Sequence, residues 1–428
     1  MNNKFNNDLN NGDDNGDTNI SNSDNLNTIG NEQDNNKEQT NNYKTIDSFE
    51  DLEIDQDIIR GVFSYGFERP SKIQSKAILP VIDGRDVIAQ AQSGTGKTAT
   101  FCIGTLSRIE KEINAIQALV LVHTREMALQ INNVFNQIGK YMNIKISICI
   151  KGVNIRDNIN DLLGKNKENL VPKIVIGTPG RVIDMMNKSA LKTDKLKIVV
   201  MDEADELLSE GFIEQIKNIV KSIPKTTQLA LFSATMNNDF FEITKKFMNE
   251  PLHILVKNDE LTLEGIRQFY IDIQKNEYKY ETLCDLYGVL IINQSIIYCN
   301  SQRIVENLSR RMTQNNFTVS FMHGNMTPLE RENTMSDFRN GKNKVLITTD
   351  LLGRGIDIQQ ISVVINYDVP SKIENYIHRI GRSGRYGRKG VAINFMTNYD
   401  RNRIQNIEKY YSTYVEEMPA NINDLINQ

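Results

Sequence analysis

Short β-rich runs alternate with helix-forming segments along most of this chain. The first series of runs covers residues 86–89, 118–122, 146–150, 173–176, 197–201 and 229–232. A second series covers residues 269–273, 295–299, 318–321, 344–348, 363–366 and 391–395. Strands that alternate with helices build parallel sheets whose two faces are both covered by helices. The sequence therefore predicts an α/β fold with two tandem domains, each a parallel sheet covered by helices.

The N-terminal segment differs in composition from the rest of the chain. Sixteen of the first 42 residues are Asn, and Phe5 is the only aromatic residue among them. Such a segment cannot bury enough apolar surface to offset the entropy lost on ordering, so residues 1–44 are predicted to be a disordered, acidic tail. We expect the two globular domains at 45–256 and 265–428, with a charged linker at 257–264.

Composition and charge exclude several kinds of protein. No apolar run approaches the ~18 residues of a membrane span, and the polar start does not resemble a secretory signal, so we expect a soluble, intracellular protein. Outside the first 42 residues there are 48 basic and 46 acidic residues. A broad basic face for nucleic acid would raise the pI above about 9, so any such contact is expected to be local. The four cysteines and four histidines lack metal-binding spacing.

A phosphate-binding loop follows the first predicted strand. Residues 91–98 read Ala-Gln-Ser-Gly-Thr-Gly-Lys-Thr, which is the Walker A pattern with Ala in place of its first Gly. Backbone N–H groups of such a loop and of the helix that follows it surround the phosphates of ATP. Lys97 would reach the β and γ phosphates, and Thr98 would bind Mg²⁺. The predicted ATP-binding residues of this loop are Gln92, Ser93, Gly94, Thr95, Gly96, Lys97 and Thr98.

An acidic motif follows a later apolar run. Residues 201–205 read Met-Asp-Glu-Ala-Asp. Asp202, at the end of the predicted strand, would share Mg²⁺ with Thr98, directly or through water. Glu203 would lie where a carboxylate can orient or deprotonate the attacking water. Each motif alone occurs often by chance, but the two in this order predict an ATPase.

The second domain has no phosphate loop, so it must supply another group to the nucleotide. Residues 378–385 include Arg382 and Arg385, which share one face if the segment is helical. An arginine delivered to the γ-phosphate is worth about 10³–10⁵ in rate, and delivery from a second domain makes hydrolysis depend on closure. Asp357 could accept a hydrogen bond from the ribose. Taken alone, the arginines also fit a solvated basic helix face, and Asp357 fits an ordinary loop.

These residues together resemble the DEAD-box RNA helicases from Phe49 to the C-terminus. The resemblance implies two RecA-like domains. It also assigns Phe49 and residues 66–74 to the family's adenine-binding motif, in which Phe49 would stack on the ring and Gln74 would hydrogen-bond its edge. A glutamine amide matches adenine and mismatches guanine, which implies a preference for ATP.

The resemblance also implies residues that couple hydrolysis to strand separation. Ser233 and Thr235 match the family motif with this role, and their hydroxyls would bond Asp205 or His378 when the domains close. His378 is therefore placed with the catalytic residues. Without the family, residues 233–235 would be interpreted as a turn.

The RNA contacts that the resemblance implies are short polar or glycine positions at strand ends. Such positions suit backbone phosphates and 2′-hydroxyls, which implies binding of single-stranded or short duplex RNA without sequence preference. The chain departs from the family pattern at His123, Met127, Lys151 and Gly353. The implied contacts are Thr124, Arg125, Glu126, Gly152, Thr178, Pro179, Gly180, Arg181, Asn300, His323, Gly324 and Thr349.

Two functions within the family stay open. The first is a cytoplasmic RNA helicase that uses ATP and Mg²⁺ to unwind short duplexes locally in translation initiation, which residues 349–360 favour. The second is an ATP-gated RNA clamp in nuclear RNA processing, of the exon-junction or pre-ribosomal RNA type, which residues 382–387 and 410–413 favour. Both imply a monomeric core with no membrane association, and a scaffold or cofactor protein that stimulates opening and closing. A phosphate-loop ATPase that acts on DNA, or without RNA, is a third possibility.

Overall fold

The structure is a computed structural model, and it describes residues 43–92, 94–165, 169–209, 211–255, 266–289, 294–350, 361–383 and 390–419. These residues form two seven-stranded sheets in which every strand pair is parallel. The predicted α/β class with two parallel sheets is therefore confirmed. Residues 1–42, the linker at 257–264 and three predicted site residues lie outside the described ranges, namely Ser93, Asp357 and Arg385.

Domain 1 carries the first sheet. Its strands are β1 (Val87–Gln90), β2 (Ala118–Leu121), β3 (Ile146–Cys149), β4 (Ile174–Gly177), β5 (Ile198–Asp202), β6 (Gln228–Ser233) and β7 (Leu252–Leu255). Its helices are α1 (Gln56–Tyr65), α2 (Lys72–Ile82), α3 (Lys97–Ser107), α4 (Arg125–Ile138), α5 (Ile155–Leu162), α6 (Pro179–Asn187), α7 (Ala204–Leu207), α8 (Ile213–Lys221) and α9 (Asn238–Thr244). The strand order across the sheet is β3-β4-β2-β5-β6-β1-β7.

Domain 2 carries the second sheet. Its strands are β8 (Ile266–Gln274), β9 (Ser295–Tyr298), β10 (Val319–Met322), β11 (Val345–Thr348), β12 (Val363–Asn366), β13 (Gly390–Thr397) and β14 (Glu416–Glu417). Its helices are α10 (Lys279–Val289), α11 (Gln302–Gln314), α12 (Pro328–Arg339), α13 (Ile373–Ile380) and α14 (Arg401–Tyr411). The strand order is β10-β11-β9-β12-β13-β8-β14, so the two sheets have the same topology.

The central strands are buried on both faces, which explains why they read as continuous apolar runs. Every residue of β2, β5, β12 and β13 is buried. Helices cover the two faces with apolar stripes of helical spacing. In α4, for example, Met127, Ile131, Phe135 and Ile138 are buried, and the hydroxyl of Thr124 caps the first turn by accepting from the Met127 N–H. The strands are thereby fixed, and their carboxyl ends are held at one edge of each sheet.

The described helices and cysteines add two observations. Within the described ranges, each helix falls short of the length and apolar character that crossing a bilayer requires. All four cysteines are free thiols, and three of them, Cys102, Cys149 and Cys299, are buried. Burial raises the pKa of the Cys149 thiol to about 12, so this thiol is protonated and behaves as an apolar core residue.

Candidate functional site

The phosphate loop joins the end of β1 to the start of α3. Gly94 and Gly96 have φ angles of 84° and 102°, which residues with a side chain rarely adopt. A Cβ on Gly96 would also lie 2.5 Å from the side-chain nitrogen of Gln74. Lys97, the first residue of α3, is 6% exposed and donates from Nζ to the Ala91 carbonyl at 2.8 Å. The loop therefore folds around the lysine ammonium.

The remaining loop residues shape the same turn. The Thr95 hydroxyl donates to the Gln92 carbonyl at 2.8 Å, which holds these two residues of the loop together. Thr98 follows Lys97 in the first turn of α3 and is partly buried. Its hydroxyl thus lies at the N-terminal end of α3, directly after the phosphate loop.

Gln74 contacts the phosphate loop through its side-chain amide. Its Oε1 accepts from the Ser71 N–H at 2.8 Å as part of a capping box at the start of α2, and its Nε2 donates to the Gly96 carbonyl at 3.4 Å. The side chain is only 1% exposed. These bonds hold the amide beside the nucleotide loop, and its contact with adenine stays a prediction.

Phe49 lies in the core and not at an open surface. Its side chain is fully buried, and its ring packs against Phe63 and Phe67 at centroid distances of 6.5 and 6.3 Å. The ring is thus enclosed by the core in this structure, and its stacking on adenine stays a prediction. Phe67 is partly exposed and stacks on Tyr65 at 5.1 Å. Phe49 therefore supports Phe67 from the core side.

Asp202 and Glu203, the two acids of the predicted catalytic motif, lie where β5 ends. Asp202 is 5% exposed, and its Oδ1 accepts from the Glu203 N–H at 3.0 Å. Burial, together with the nearby Glu203 carboxylate, raises the pKa of Asp202 to about 7, and Lys97 opposes that rise. Glu203 has φ 48° and ψ 54°, a left-handed conformation that costs a non-glycine residue on the order of 1–3 kcal/mol. Such strain is common where a side chain must point at a reacting group.

A cluster of polar groups joins the two domains beside Glu203. His378 of α13 is buried, with Nδ1 3.9 Å from Glu203 Oε2 and Nε2 3.5 Å from Asp205 Oδ2. The Thr235 hydroxyl donates to Asp205 Oδ2 at 2.5 Å, and the Ser233 hydroxyl donates to the Thr235 carbonyl at 2.8 Å. The structure thus brings together the predicted coupling residues, with Asp205 bonded to Thr235 and close to His378.

Arg382 lies beyond the helix in which it was expected to share a face with Arg385. Helix α13 ends at Ile380, because Gly381 follows it and the chain turns. Arg382 is 2% exposed, and its Nε donates to the His378 carbonyl at 3.1 Å. The condition of a shared helical face is therefore not met, although Arg382 remains next to the cluster that holds Glu203.

Arg379 is the most extensively bonded arginine of this region, and the motif analysis gave it no role. It is fully buried and forms a two-pronged pair with Asp350, with Nε 2.5 Å from Oδ1 and Nη2 3.0 Å from Oδ2. Nη1 donates to the Asp368 carbonyl at 2.7 Å, and Nη2 donates to Asn300 Oδ1 at 2.8 Å. Arg379 thus ties together the ends of β9, β11 and β12. In the sequence, the only indication that Arg379 has a role is its place between His378 and Arg382.

The predicted RNA contacts of domain 1 lie at the ends of three adjacent strands. Arg125 begins α4 after β2, and its Nη1 donates to the Lys151 carbonyl at 3.1 Å. Gly152, after β3, has φ 96°, and a Cβ there would lie 3.0 Å from Arg125 Nη1 and 3.2 Å from Pro328 Cγ of domain 2. Only glycine therefore fits between these two side chains without a shift.

The third strand end of domain 1 is similarly built. Thr178 precedes α6 at the end of β4. Arg181 donates from Nη1 to the Val153 carbonyl at 2.9 Å and to Asn158 Oδ1 at 2.7 Å. Arg181, in α6, thus holds the loop after β3, and this bond to Val153 places it next to the predicted RNA contact Gly152.

Domain 2 repeats this arrangement on the equivalent strands. Thr349 follows β11 and is partly buried. Asn300 follows β9, and its Nδ2 donates to the Val369 carbonyl at 2.9 Å. His323 follows β10, with its Nε2 3.1 Å from Glu306 Oε1 and its ring stacked on Phe321 at 5.7 Å. The implied contacts therefore lie at the carboxyl ends of three neighbouring strands in each sheet.

One predicted RNA contact instead pairs across the domains. Glu126 in α4 has its Oε1 3.1 Å from Nη1 of Arg331 in α12, and both side chains are 14% exposed. The two domains belong to one compact unit. This ion pair, the His378 cluster and the contact of Gly152 with Pro328 show that the domains face each other in a closed arrangement.

Two family models match the chain. One, described as DEAD/DEAH box helicase, matches residues 71–243. The other, described as helicase conserved C-terminal domain, matches residues 278–387. The first range contains the phosphate loop and the acidic motif, and the second contains His378, which lies next to Glu203 and Asp205 of domain 1.

Individual relatives agree with the family models. The chain is 53% identical over 383 residues to eukaryotic initiation factor 4A of Caenorhabditis elegans, which covers 90% of this chain and 94% of the relative. It is 55% identical over 386 residues to ATP-dependent RNA helicase eIF4A of Mycosarcoma maydis, which covers 90% of this chain and 92% of the relative.

Solved structures of S. cerevisiae Dbp5 share the fold. Dbp5 bound to RNA and ADP BeF3 matches with a TM-score of 0.82 and 35% identity over 89% of this chain and 99% of Dbp5. A Dbp5 variant bound to a Gle1 variant and IP6 matches with a TM-score of 0.73 and 34% identity over 90% and 99% of the two chains. The chain therefore belongs to the DEAD-box family of ATP-dependent RNA helicases, among the members similar to eIF4A.

Proposed function

We propose that this protein is an RNA-stimulated ATPase of translation initiation, which closes its two domains around ATP and single-stranded RNA and unpairs short duplexes locally. One observation carries the proposal: His378 of domain 2 is buried between Glu203 and Asp205 of domain 1. The carboxylate that would act on water is thus enclosed only when the domains meet. RNA that favours closure would therefore favour hydrolysis.

The oxygen donors at the phosphate loop fit Mg²⁺. Asp202 offers a buried carboxylate and Thr98 a hydroxyl, and hard oxygen donors of this kind suit Mg²⁺. Burial and then the Glu203 carboxylate raise the pKa of Asp202, and a bound cation would favour its charged form. When bound, the ion would neutralise charge on the phosphate oxygens.

The protein groups around the γ-phosphate would then have distinct tasks. Lys97 would bind the β and γ phosphates, and Glu203 would orient water and accept its proton. Arg382 is proposed to stabilise the charge that develops on transfer. The Arg382 side chain bonds the His378 carbonyl, so it is held next to the histidine whose ring faces Glu203 and Asp205 of domain 1.

The RNA surface would be completed by the same closure. The strand ends that carry Arg125, Gly152 and Arg181 meet domain 2 near Pro328. Contacts at these positions would be to phosphates and 2′-hydroxyls, so binding would be independent of sequence. One closure could disrupt a few stacked base-pair steps, since each step contributes about 0.6–2.2 kcal/mol by DNA values.

We expect Thr235→Val to separate ATP hydrolysis from strand release. Valine keeps the shape of the side chain but removes the donor to Asp205, and a hydrogen bond to a charged group contributes about 1.5–3 kcal/mol. The rate of duplex release should fall about tenfold or more, while ATP turnover changes little. The measurement is duplex release and ATP hydrolysis on one sample. Thr282→Val, at a partly buried helical threonine whose hydroxyl donates to the Tyr278 carbonyl, is the matched control. Equal loss of both rates in Thr235→Val would contradict the coupling role.

The ion pair between Glu126 and Arg331 should stabilise the closed arrangement. We expect Arg331→Met to weaken RNA binding about fivefold in the presence of a non-hydrolysable ATP analogue, which corresponds to roughly 1 kcal/mol for a partly shielded pair. RNA affinity without nucleotide should not change. The matched control is Arg339→Met, an exposed position on the same helix.

A double-variant cycle with Glu126→Gln separates this pairing from other roles of the two residues. If Arg331→Met has its full effect in the Glu126→Gln background, the two side chains act independently and the proposed latch is wrong.

Lys151 should add one phosphate contact to RNA binding. It is exposed beside Gly152, and its carbonyl is held by Arg125. Each neutralised phosphate of a single strand contributes about 0.7 to the slope of log K against log salt, so Lys151→Gln should reduce that slope by about this amount. A salt titration of RNA affinity measures it, with Lys192→Gln as an exposed control. An unchanged slope would remove Lys151 from the contact surface.

The proposal includes a protein cofactor and a cellular location. The solved structure of Dbp5 with Gle1 shows a family member held by a protein partner. We infer a scaffold or cofactor protein that stimulates opening and closing of this monomeric core, and a cytoplasmic location that follows from translation initiation. The nuclear RNA clamp remains the second candidate, because the residues at the nucleotide site serve both functions.

The decisive experiment measures ATP hydrolysis with and without single-stranded RNA, and release of a short RNA duplex in the same samples. RNA stimulation together with strand release supports the helicase. RNA binding that requires ATP, without faster turnover or strand release, supports the clamp. Equal stimulation by DNA and RNA, or the absence of both RNA stimulation and ATP-dependent RNA binding, would contradict both functions.

A further inference from the structure

The shared topology gives every strand of domain 1 a counterpart in domain 2. Strand β8 corresponds to β1 by its place in the sheet, and the helix that follows each is 11 residues long and begins with lysine, Lys97 in α3 and Lys279 in α10. Strand β12 pairs with β9 as β5 pairs with β2, and these pairings make Asn366 of β12 equivalent to Met201 of β5. Two residues further along each chain segment, Asp368 is equivalent to Glu203. Domain 2 therefore carries a lysine and an acid where domain 1 carries its nucleotide site.

A cavity of about 440 Å³ lies at this position in domain 2. Its walls come from the turn after β8, from the end of β12 and from one face of α11. Among the described residues that line it, three are cationic, Lys279, Arg303 and Arg311, and one is acidic, Asp368. The excess of positive charge makes the cavity a site for an anion.

Two of the three cations are held in place. Lys279 is 3% exposed, with its Nζ 2.7 Å from Asp368 Oδ1. The Arg311 guanidinium lies 3.6 Å from the centroid of the Tyr280 ring. A stacked guanidinium loses little freedom when it binds, and its planar fork matches phosphate oxygens. Arg303 is exposed on the same helix, at the rim of the cavity.

The backbone around this cavity differs from that of domain 1. The turn Asn276–Tyr278 is a single 3-10 turn without glycine, where domain 1 has Gly94 and Gly96 at positive φ. A chain of phosphate-binding N–H groups is therefore not built here, and the side-chain cations must provide recognition. Binding should thus be weaker than in domain 1 and independent of Mg²⁺.

We propose that this cavity, formed by Lys279, Arg303 and Arg311 at the domain 2 counterpart of the nucleotide site, binds the phosphate groups of a small phosphorylated ligand. The phosphate chemistry is shared by free oligophosphates and by an RNA backbone. A cavity of about 440 Å³ favours a discrete ligand over a continuous strand. This inference goes beyond the helicase activity and does not depend on it.

The test uses the full chain in a Lys97→Ala background without Mg²⁺, so that domain 1 contributes little phosphate binding. Sodium tripolyphosphate is titrated at constant ionic strength in a calorimeter. We expect one saturable site. Arg303→Ala should weaken it about tenfold, as loss of a charge-assisted contact does. Arg310→Ala, an exposed arginine on the same helix that does not line the cavity, should leave the affinity unchanged.

The outcomes are distinct. Absence of saturable binding, or equal weakening by Arg303→Ala and Arg310→Ala, would overturn the proposal. Arg303→Ala is an exposed change and should not affect folding, and Lys279→Met provides a second variant inside the cavity. In a parallel arm, fluorescent single-stranded RNA is bound to the wild-type chain. Weaker RNA binding in Arg303→Ala, without tripolyphosphate binding to the Lys97→Ala chain, would assign the cavity to the RNA backbone and reject the small ligand.

Discussion

Replacing Glu203 with glutamine should lower the RNA-stimulated turnover of ATP by about 10²–10⁴-fold, the range that general base catalysis contributes. Glutamine keeps the length of the side chain but cannot accept the proton of the attacking water. The left-handed backbone at Glu203 and its place beside the Asp202 carboxyl do not depend on the charge that is removed. ATP and RNA binding should therefore stay close to wild type, and the variant should remain closed on RNA for longer.

The measurement is single-turnover hydrolysis together with RNA affinity in the presence of ATP. Glu214→Gln is the matched control, because Glu214 is a solvent-exposed helical carboxylate paired with Lys217. Near-normal turnover in Glu203→Gln would show that another group handles the proton. A parallel loss of ATP binding would instead show that the charge of Glu203 shapes the site.

Much of the fold could be predicted because the central strands are buried on both faces. Strands such as β5 and β12 read as continuous apolar runs, and each is followed by a helix, so their number and parallel direction follow from the pattern. The seventh strand of each sheet could not be predicted. In β7 only Ile254 is buried, and β14 consists of two exposed glutamates, which have low β-propensity. Pairing with a neighbouring strand, and not local preference, makes them strands.

The candidate site was predictable where chemistry fixes the spacing along the chain. The phosphate loop must follow a strand and precede a helix, and the structure places Lys97 and Asp202 in those positions. The burial of Phe49 could not be predicted, because it depends on Phe63 and Phe67, which come from the next helix and the turn after it. Packing against distant residues leaves no local signal, so the sequence alone could not distinguish a core ring from a binding ring.

Contacts between the domains were the least predictable part. The ion pair of Glu126 with Arg331 joins residues far apart in the chain, and each is an ordinary charged residue on a helix. Within domain 2, the contacts of Arg379 were equally hard to predict, because its partners Asp350, Asn300 and Asp368 follow three different strands. These partners come together only because parallel strands bring their ends to one edge of the sheet.

Arg379 gives the second large prediction. We expect Arg379→Met to destabilise domain 2 by roughly 3 kcal/mol, at the lower end of the 3–5 kcal/mol range for breaking a buried pair. The lower end applies because the Asp350 side chain is 34% exposed and water can screen part of its charge. Methionine fills much of the space but leaves the Asp350 carboxylate and the Asp368 carbonyl without the donors that Arg379 supplies.

Hydrogen exchange of the full chain can localise this loss, since a two-domain protein need not unfold in one step. Amides of β12 should exchange faster in Arg379→Met, while those of β1 in domain 1 provide the internal reference. Arg401→Met, which breaks an exposed pair with Asp272, should change exchange little. Because an unpaired carboxylate causes much of the loss, adding Asp350→Asn should recover part of the stability. If the double variant is as unstable as Arg379→Met, the bonds to Asn300 and Asp368, and not the charge pair, hold these strand ends together.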